Sequence, residues 1–182
     1  GHTEICVHDL RTHAIDPHKT VDDAPFGGGG GMVLKTEPIA NAWDTLKLHQ
    51  GYSIYLTADG EPLDQQIVSR LSLENRLILL CGHYKGVDER ARHFVDREIS
   101  IGDYVLTGGE LPSLIIVDAI VRLIPGVLNS YESAETDSFF DDLLDGPHYT
   151  RPREHEGLKV PDILLSGHHQ NIKNIIFLDN QS

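Results

Sequence analysis

The stretch that most constrains the fold is residues 99–112, with the sequence ISIGDYVLTGGELP. Its first half is β-branched and aromatic, which favours a buried strand. The glycine pair, the acidic residue and the proline that follow predict a turn and a helix start. The helix expected over residues 110–124 is apolar on nearly every side, so we expect a core or a subunit interface to bury it. Such a turn can present bare backbone amides to a ligand, and it can equally be a tight connection without one.

Alternating strands and helices predict an α/β domain with a parallel sheet. Apolar strands are expected at residues 53–56 and 77–81, and a short strand at residues 3–7. Amphipathic helices are expected at residues 37–49 and 62–73. Helices placed between strands in this way fit the crossover connections that parallel strands need.

Three strand ends are expected to meet at one edge of this sheet. They are residues 55–60, 81–86 and 106–109. Open α/β sheets bind their ligands at the carboxyl ends of the strands. These three loops therefore form the predicted pocket.

The composition is that of a globular protein without a visible targeting segment. Hydrophobic side chains make up 40% of the 182 residues, and no apolar run approaches the roughly 18 residues of a membrane span. Cys6 and Cys81 lack metal-binding spacing, so a reduced cytoplasmic protein is the simplest expectation. The net charge of −13 argues against a broad non-specific nucleic-acid surface. A local basic groove remains open, with Lys85, Arg90, Arg92, Arg97, Arg122, Arg151 and Arg153 as its candidates.

The glycine run, residues 27–31, invites comparison with a phosphate loop. Met32 and Val33 follow it instead of a lysine and a hydroxyl residue, and no apolar strand leads into it. The spaced glycines of a dinucleotide-binding turn are also missing. We therefore favour a loop that closes over a substrate, with a phosphate cradle as the second interpretation and a phosphate-loop nucleotidase as a distant alternative function.

A set of motifs in a fixed order covers nearly the whole chain. They are TVDD at residues 20–23, PFGGG at 25–29, LCG at 80–82, DER at 88–90, the stretch 99–112, IPGVL at 124–128, DSF at 137–139 and YTRP at 149–152. On these motifs the chain resembles the bacterial TrmD-type tRNA (guanine-N1)-methyltransferases. The resemblance implies S-adenosylmethionine-dependent methylation of N1 of the guanosine immediately 3′ of the anticodon, with tRNA as the partner.

The resemblance also implies a fold and an assembly. The fold is a SPOUT-type α/β domain whose parallel sheet carries a deep C-terminal trefoil knot, followed by a remnant of a small C-terminal tRNA-binding domain. We expect the knotted domain at residues 1–126, a flexible linker at 127–139 and the partial tRNA-binding domain at 140–182. The family's opening strand and helix and its final helices would lie outside this sequence. The family implies an obligate homodimer with no membrane partner.

Carried over position by position, the resemblance implies a cofactor site on the three loops. The expected cofactor-binding residues are Tyr55, Leu56, Gly82, Tyr84, Gly86, Ile101, Gly102, Asp103, Tyr104, Val105, Leu106, Gly108 and Gly109. His83 and Lys85 depart from the arginine and glutamate that many members carry. The reversed charge at Lys85 argues against a Mg²⁺ ion at that point, so no metal ligand is expected.

Asp137 and Arg122 match the family's catalytic positions. Neutral guanine carries a proton on N1, so a carboxylate such as Asp137 is needed to remove it as the methyl group arrives. Arg122 would stabilise the negative charge that develops on O6. Without the resemblance, Asp137 would be interpreted as a solvated acid or a helix cap, and Arg122 as an intrahelical partner of Asp118.

Two other functions remain open for this sequence. A SPOUT ribose 2′-O-methyltransferase would share the knot but not the motifs at residues 137–139 and 149–152. A module that binds S-adenosylmethionine or RNA without chemistry would have no use for both Asp137 and Arg122.

Overall fold

The computed structural model describes residues 2–47, 51–127 and 147–167. The chain divides into two compact units, Gly1–Val127 and Leu128–Ser182. The described elements of the first unit are, in order, β1 (Asp22–Asp23), β2 (Val33–Leu34), α1 (Thr36–Lys47), β3 (Tyr52–Pro62), α2 (Gln65–Leu71), β4 (Leu77–Cys81), β5 (Arg97–Ser100) and α3 (Glu110–Val121). Two short 3₁₀ helices, Leu10–His13 and Glu89–Phe94, complete it. None of the described helices is long and apolar enough to cross a membrane.

The centre of the first unit is a three-stranded parallel sheet in the order β4-β3-β5, which confirms the predicted α/β fold. Strand β3 pairs Leu56 with Ile99, then leaves the ladder for residues 57–60 and returns to pair Glu61 with the same Ile99. A Cβ atom on Gly60 would stand 2.6 Å from the Ile99 backbone nitrogen. Only glycine therefore allows the returning chain to pass so close to β5.

The sheet is covered on both faces, as a parallel sheet requires. Ile54 and Leu56 of β3 point to one face, where they pack with buried side chains of α2 and α3. Tyr55, which lies between them, points to the other face and packs with Leu34, Ile39 and Ala91. The period-two alternation of strand side chains thus divides the core into two halves, one on each side of the sheet.

The glycine run is tied to the loop that follows β4. Strands β1 and β2 flank the run as an antiparallel pair, with Asp23 opposite Val33. The Leu34 amide donates to the Gly86 carbonyl at 3.0 Å, and the Asp88 amide donates to the Leu34 carbonyl at 2.9 Å. The run is therefore held beside one of the three loops of the predicted pocket.

Two strand predictions were wrong. Residues 3–7 form no strand, and their Ile5 and Val7 side chains are exposed, because this segment pairs with no strand in the described part of the chain. The strand expected from Ile99 onwards ends at Ser100. Gly102 has a φ of +142°, which breaks the extended conformation, and its amide donates to the Ser100 hydroxyl at 3.2 Å. Residues 101–106 are therefore a loop.

The helix predictions were right in kind and differ at the ends. Helix α2 begins at Gln65 because Pro62 belongs to β3 and the Asp64 carboxylate caps the helix by accepting from the Ile67 amide at 2.7 Å. Helix α3 ends at Val121. One face of α3 packs on the sheet and the other is exposed in the single chain, so burial of that second face in a subunit interface stays a prediction.

The second unit is described only at residues 147–167. It contains a hairpin of β6 (Glu154–His155) and β7 (Leu158–Lys159), followed by the short helix α4 (Asp162–Leu165). The two turn residues between the strands have left-handed φ values of 52° and 85°, which match the right-handed strand twist. The predicted linker, apart from Val127, lies outside the described residues.

Candidate functional site

The loops that follow the sheet strands enclose one pocket of about 380 Å³ in the first unit. Its walls are residues 55–59, 82–87, 99–102 and 104–109, together with Glu89, Arg92 and Pro112. The pocket lies at the carboxyl end of the parallel strands, where α/β sheets bind ligands. Its volume falls within the roughly 300–1,000 Å³ of small-molecule sites.

The structure brings together almost every residue predicted to bind the cofactor. All of them line this pocket except Asp103, which lies in the same loop but not on the pocket wall. Arg122 does not line the pocket, and Asp137 lies outside the described residues. Binding and catalysis by these residues stay predictions.

Tyr55 sets the shape of the inner wall. The side chain is buried, with 4% of its surface exposed. A Cβ atom on Gly82 would stand 3.1 Å from the Tyr55 ring, and one on Gly86 would stand 3.4 Å from its hydroxyl. The glycines of the second loop therefore let the backbone lie directly against this ring, with no side chain between them and the pocket.

The third loop is fastened to the second at Gly109. Its amide donates to the Gly82 carbonyl at 2.8 Å, and its Cβ atom would stand 2.6 Å from the Cys81 Cα atom. The Ser113 hydroxyl donates to the Gly109 carbonyl at 2.8 Å and lies 2.9 Å from the Cys81 sulfur. Burial raises the pKa of the Cys81 thiol. This cysteine is therefore neutral and packs the loop junction instead of acting as a nucleophile.

Arg92 holds the first loop in place. Its guanidinium donates to Asp59 at 2.9 Å and to Glu98 at 2.9 Å, and it lies 5.7 Å from the centre of the Tyr55 ring. The Thr57 hydroxyl and this guanidinium hold the pKa of Asp59 below its ordinary value. The ion pairs join residues 57–60 to β5 and to the 3₁₀ helix after Asp88, so they fix the loop at the pocket edge.

The sequence did not reveal this role of Arg92, which was grouped with candidates for a basic groove. Three of those candidates are instead paired with carboxylates: Arg92 as above, Arg90 with Asp88 at 2.8 Å and Arg97 with Glu61 at 2.7 Å. Ion pairs between residues far apart in the sequence leave no periodic signal, so only the fold shows them. The charges of these three arginines are therefore balanced by carboxylates of the same chain.

Among the residues that the structure describes, no group of three or more histidine, cysteine, aspartate or glutamate side chains is arranged to hold a metal ion. The Lys85 side chain lies on the pocket wall, at the position where the resemblance raised the question of Mg²⁺.

Helix α3 leads away from the pocket with an exposed apolar face. Pro112, in its first turn, lines the pocket, and Arg122 caps its end. At a rise of about 1.5 Å per residue, Arg122 lies about 15 Å further along the axis than Pro112. The exposed fractions of Leu111, Leu114 and Ile115 are 57%, 60% and 45%. The helix thus joins the pocket to a surface that the first unit does not cover.

Comparison with known proteins decides the family. The family model described as tRNA (Guanine-1)-methyltransferase TrmD matches residues 1–180. The chain belongs to this family. A relative named tRNA (guanine-N(1)-)-methyltransferase from Azobacteroides pseudotrichonymphae genomovar. CFP2 is 58% identical over 174 residues, which are 94% of this chain and 78% of the relative. Relatives with the same name from Dictyoglomus turgidum and Chlorobaculum tepidum are 54% and 52% identical, over 95% of this chain and 71% and 76% of their own lengths. The TrmD resemblance predicted from the motifs is confirmed.

Proposed function

We propose that this chain transfers a methyl group from S-adenosylmethionine to N1 of the guanosine immediately 3′ of the anticodon in tRNA, in the bacterial cytoplasm. TrmD family membership supports the reaction class and the substrate. The observation that carries the proposal is the pocket at the strand ends, which is lined by all the residues predicted to bind the cofactor except Asp103.

The pocket suits this methyl donor in size and chemistry. Glycines on two of the three loops leave backbone polar groups accessible to the nucleoside, while Ile99 and Leu106 supply apolar wall. The carboxylates of Asp59 and Glu89 also line the pocket, where Lys85 and Arg92 balance their charge. S-adenosylmethionine, when bound, supplies an electrophilic methyl group on a positively charged sulfur.

The chain must then make guanine N1 nucleophilic. Asp137 is proposed as the general base that accepts the N1 proton as the nitrogen attacks. The lost proton leaves negative charge on the base, much of it on O6. Arg122 is proposed to donate to O6 and so to stabilise this charge. The two residues act only on the base, so their removal should not weaken the methyl-donor site.

The geometry of α3 supports a site shared between two subunits of a homodimer. Arg122 lies about 15 Å along the helix from the pocket of its own chain, which is beyond the reach of its side chain. The exposed apolar face of α3, with Leu111, Leu114 and Ile115, gives a second copy a surface on which to pack. Burial of each of these half-exposed side chains would contribute about 1 kcal/mol. In the proposed dimer, Arg122 of one protomer serves the pocket of the other.

The trefoil knot is also part of the proposal. Two contacts join the segment after β5 to the loop after β4. Gly108 forms an antiparallel bridge with His83, and the Gly109 amide donates to the Gly82 carbonyl, so the two segments lie tightly together. This close crossing is what a knotted chain needs at the cofactor site. A knot would also explain why glycines stand at the crossing, because a side chain there would block the second segment.

Methyl transfer from labelled S-adenosylmethionine to an anticodon-stem transcript tests the reaction. The transcript should be labelled, and the same transcript with the target guanosine replaced by adenosine should not. Asp137→Ala should keep its affinity for the cofactor and lose methyl transfer. Equal labelling of both transcripts would refute guanosine as the target, and full turnover by Asp137→Ala would remove it as the base.

A further inference from the structure

We propose that Lys85 and the glycine run form a binding site for one backbone phosphate of the RNA substrate, beside the methyl-donor pocket. This proposal rests on the proposed function, because tRNA is the substrate that supplies the phosphate. It concerns residues that the mechanism above does not use.

The Lys85 side chain lies along the glycine run. A Cβ atom on Gly31 would stand 3.0 Å from Lys85 Cε and 3.2 Å from its Cγ, and one on Gly29 would stand 3.7 Å from Nζ. The Lys85 amide also donates to the Met32 carbonyl at 3.1 Å. The ammonium group is therefore held next to the backbone of the run, and Lys85 is one of the residues that line the pocket.

The run has a backbone suited to an anion. Gly29 and Gly31 have left-handed φ values of +106° and +93°, and Gly30 between them does not. Gly27 and Gly28 also have positive φ values, of +86° and +82°, so most of the run has a backbone conformation that side chains rarely adopt. Backbone amides of such turns are groups that bind anions. No atom lies within 4 Å of the Cβ positions of Gly27, Gly28 or Gly30, so the run is open to a ligand.

Charge distinguishes Lys85 from the neighbouring cations. Arg90, Arg92 and Arg97 each pair with a carboxylate. The ion pairs found in the described part of the chain do not include Lys85, although the protein carries a net charge of −13. A cation without a carboxylate partner on the wall of a substrate pocket is available to a ligand anion, and phosphate is the anion that RNA presents.

The neighbouring aromatic residue favours RNA over free phosphate. Phe26 directly precedes the run, and its side chain is fully exposed. An exposed aromatic ring next to a phosphate site is the combination that holds single-stranded RNA, in which bases stack on rings while cations track the backbone. The unpaired anticodon loop offers both groups to this surface.

Salt dependence of RNA binding tests the proposal in the full chain. Affinity for the anticodon-stem transcript is measured between 50 and 200 mM salt for wild type, Lys85→Met, Lys85→Arg and Arg70→Met. Methionine keeps the methylene contacts on Gly31 and removes the charge. Arg70 is an exposed cation in the last turn of α2, on the opposite face of the sheet, and serves as the matched control.

Lys85→Met should lower the slope of log affinity against log salt by about 0.7–0.9, the value for one phosphate contact. Its loss of affinity relative to wild type should shrink about threefold between 50 and 200 mM salt. Lys85→Arg should keep the wild-type slope, as should Arg70→Met. Thermal unfolding shows whether each variant is folded.

An unchanged slope for Lys85→Met, or an equal loss for Arg70→Met, would overturn the phosphate site. Two results together would overturn the RNA assignment. Millimolar inorganic phosphate would occupy the Lys85 site and displace the transcript, and Phe26→Ala would bind the transcript as tightly as wild type. Failure of the proposed function would give a different result. If the wild-type protein bound the transcript through Lys85 but methylated nothing, the phosphate site would be supported and the methyl-transfer reaction would be refuted.

Discussion

The separation between Arg122 and the pocket of its own chain predicts that two damaged subunits can restore one active site. Pro112 is the last residue of α3 on the pocket wall. From there to Arg122 the helix rises about 15 Å, so the guanidinium of a protomer cannot serve its own pocket. A dimer should therefore pair the pocket of one chain with Arg122 of the other.

The experiment combines Arg122→Ala with a chain whose pocket is blocked. Gly82→Val blocks it, because its first side-chain carbon already stands 3.1 Å from the Tyr55 ring. Gly102→Val is a second blocked chain, because this φ of +142° disfavours any side chain. The two chains are co-expressed with different tags, and the mixed dimers are isolated by sequential affinity steps.

Each homodimer should be inactive, and the mixed dimer should transfer methyl groups at about half the wild-type rate, since one of its two sites combines an intact pocket with an intact Arg122. Thermal unfolding and size-exclusion chromatography show that each species is folded and dimeric. A mixed dimer as inactive as its parents would place Arg122 and the pocket in the same chain, and would refute the reasoning from the helix length.

Four further predictions rest on the contacts. Gly109→Ala should lower the free energy of unfolding by about 3 kcal/mol, because its new carbon would stand 2.6 Å from a backbone carbon of β4, and an unchanged urea midpoint would contradict this. Arg92→Met should raise KM for S-adenosylmethionine with kcat within about twofold, because Asp59 loses the cation that fixes its loop; a fall in kcat alone would argue against it. The Thr57 hydroxyl and Arg92 hold the pKa of Asp59 below its ordinary value. The Asp59–Arg92 pair therefore stabilises the fold at pH values above the ordinary pKa of aspartate, and this stabilisation is lost as the pH falls through the lowered pKa of the folded state. The difference in Tm between wild type and Arg92→Met should therefore shrink toward acid pH. Leu114→Lys should yield monomers in analytical ultracentrifugation, while Leu73→Lys, at a more exposed position outside α3, should sediment as wild type does.

Local pattern was enough to predict the strands that fill the core. Strand β4 was predicted at its observed bounds, Leu77–Cys81, because a short apolar run that ends at a glycine is typical of a buried strand. Since parallel strands end at one edge, the ends of β3 and β4 also predicted the pocket. Residues 106–109 line it as well, although they belong to the loop after β5 and not to a strand end. Here local preference and tertiary structure agree.

Pattern failed where tertiary contacts decide the conformation. The β-branched and aromatic residues 101–106 resemble a strand, but Gly102 and its bond to Ser100 turn them into a loop. The return of β3 after residues 57–60 and the Arg92 ion pairs depend on residues distant in the sequence, which no window detects. Helix α3 has apolar residues on nearly all sides, so the sequence did not indicate which face meets the sheet.

The identity of the methylated atom tests the central claim most directly. A tRNA transcript is treated with the protein and S-adenosylmethionine. One portion is digested to nucleosides and compared with synthetic standards by mass spectrometry, and another is cut by a base-specific ribonuclease so that the mass of each fragment locates the methyl group. The account predicts 1-methylguanosine, derived from the nucleotide immediately 3′ of the anticodon. A product of 2′-O-methylguanosine, or methylation of any other nucleotide, would contradict it.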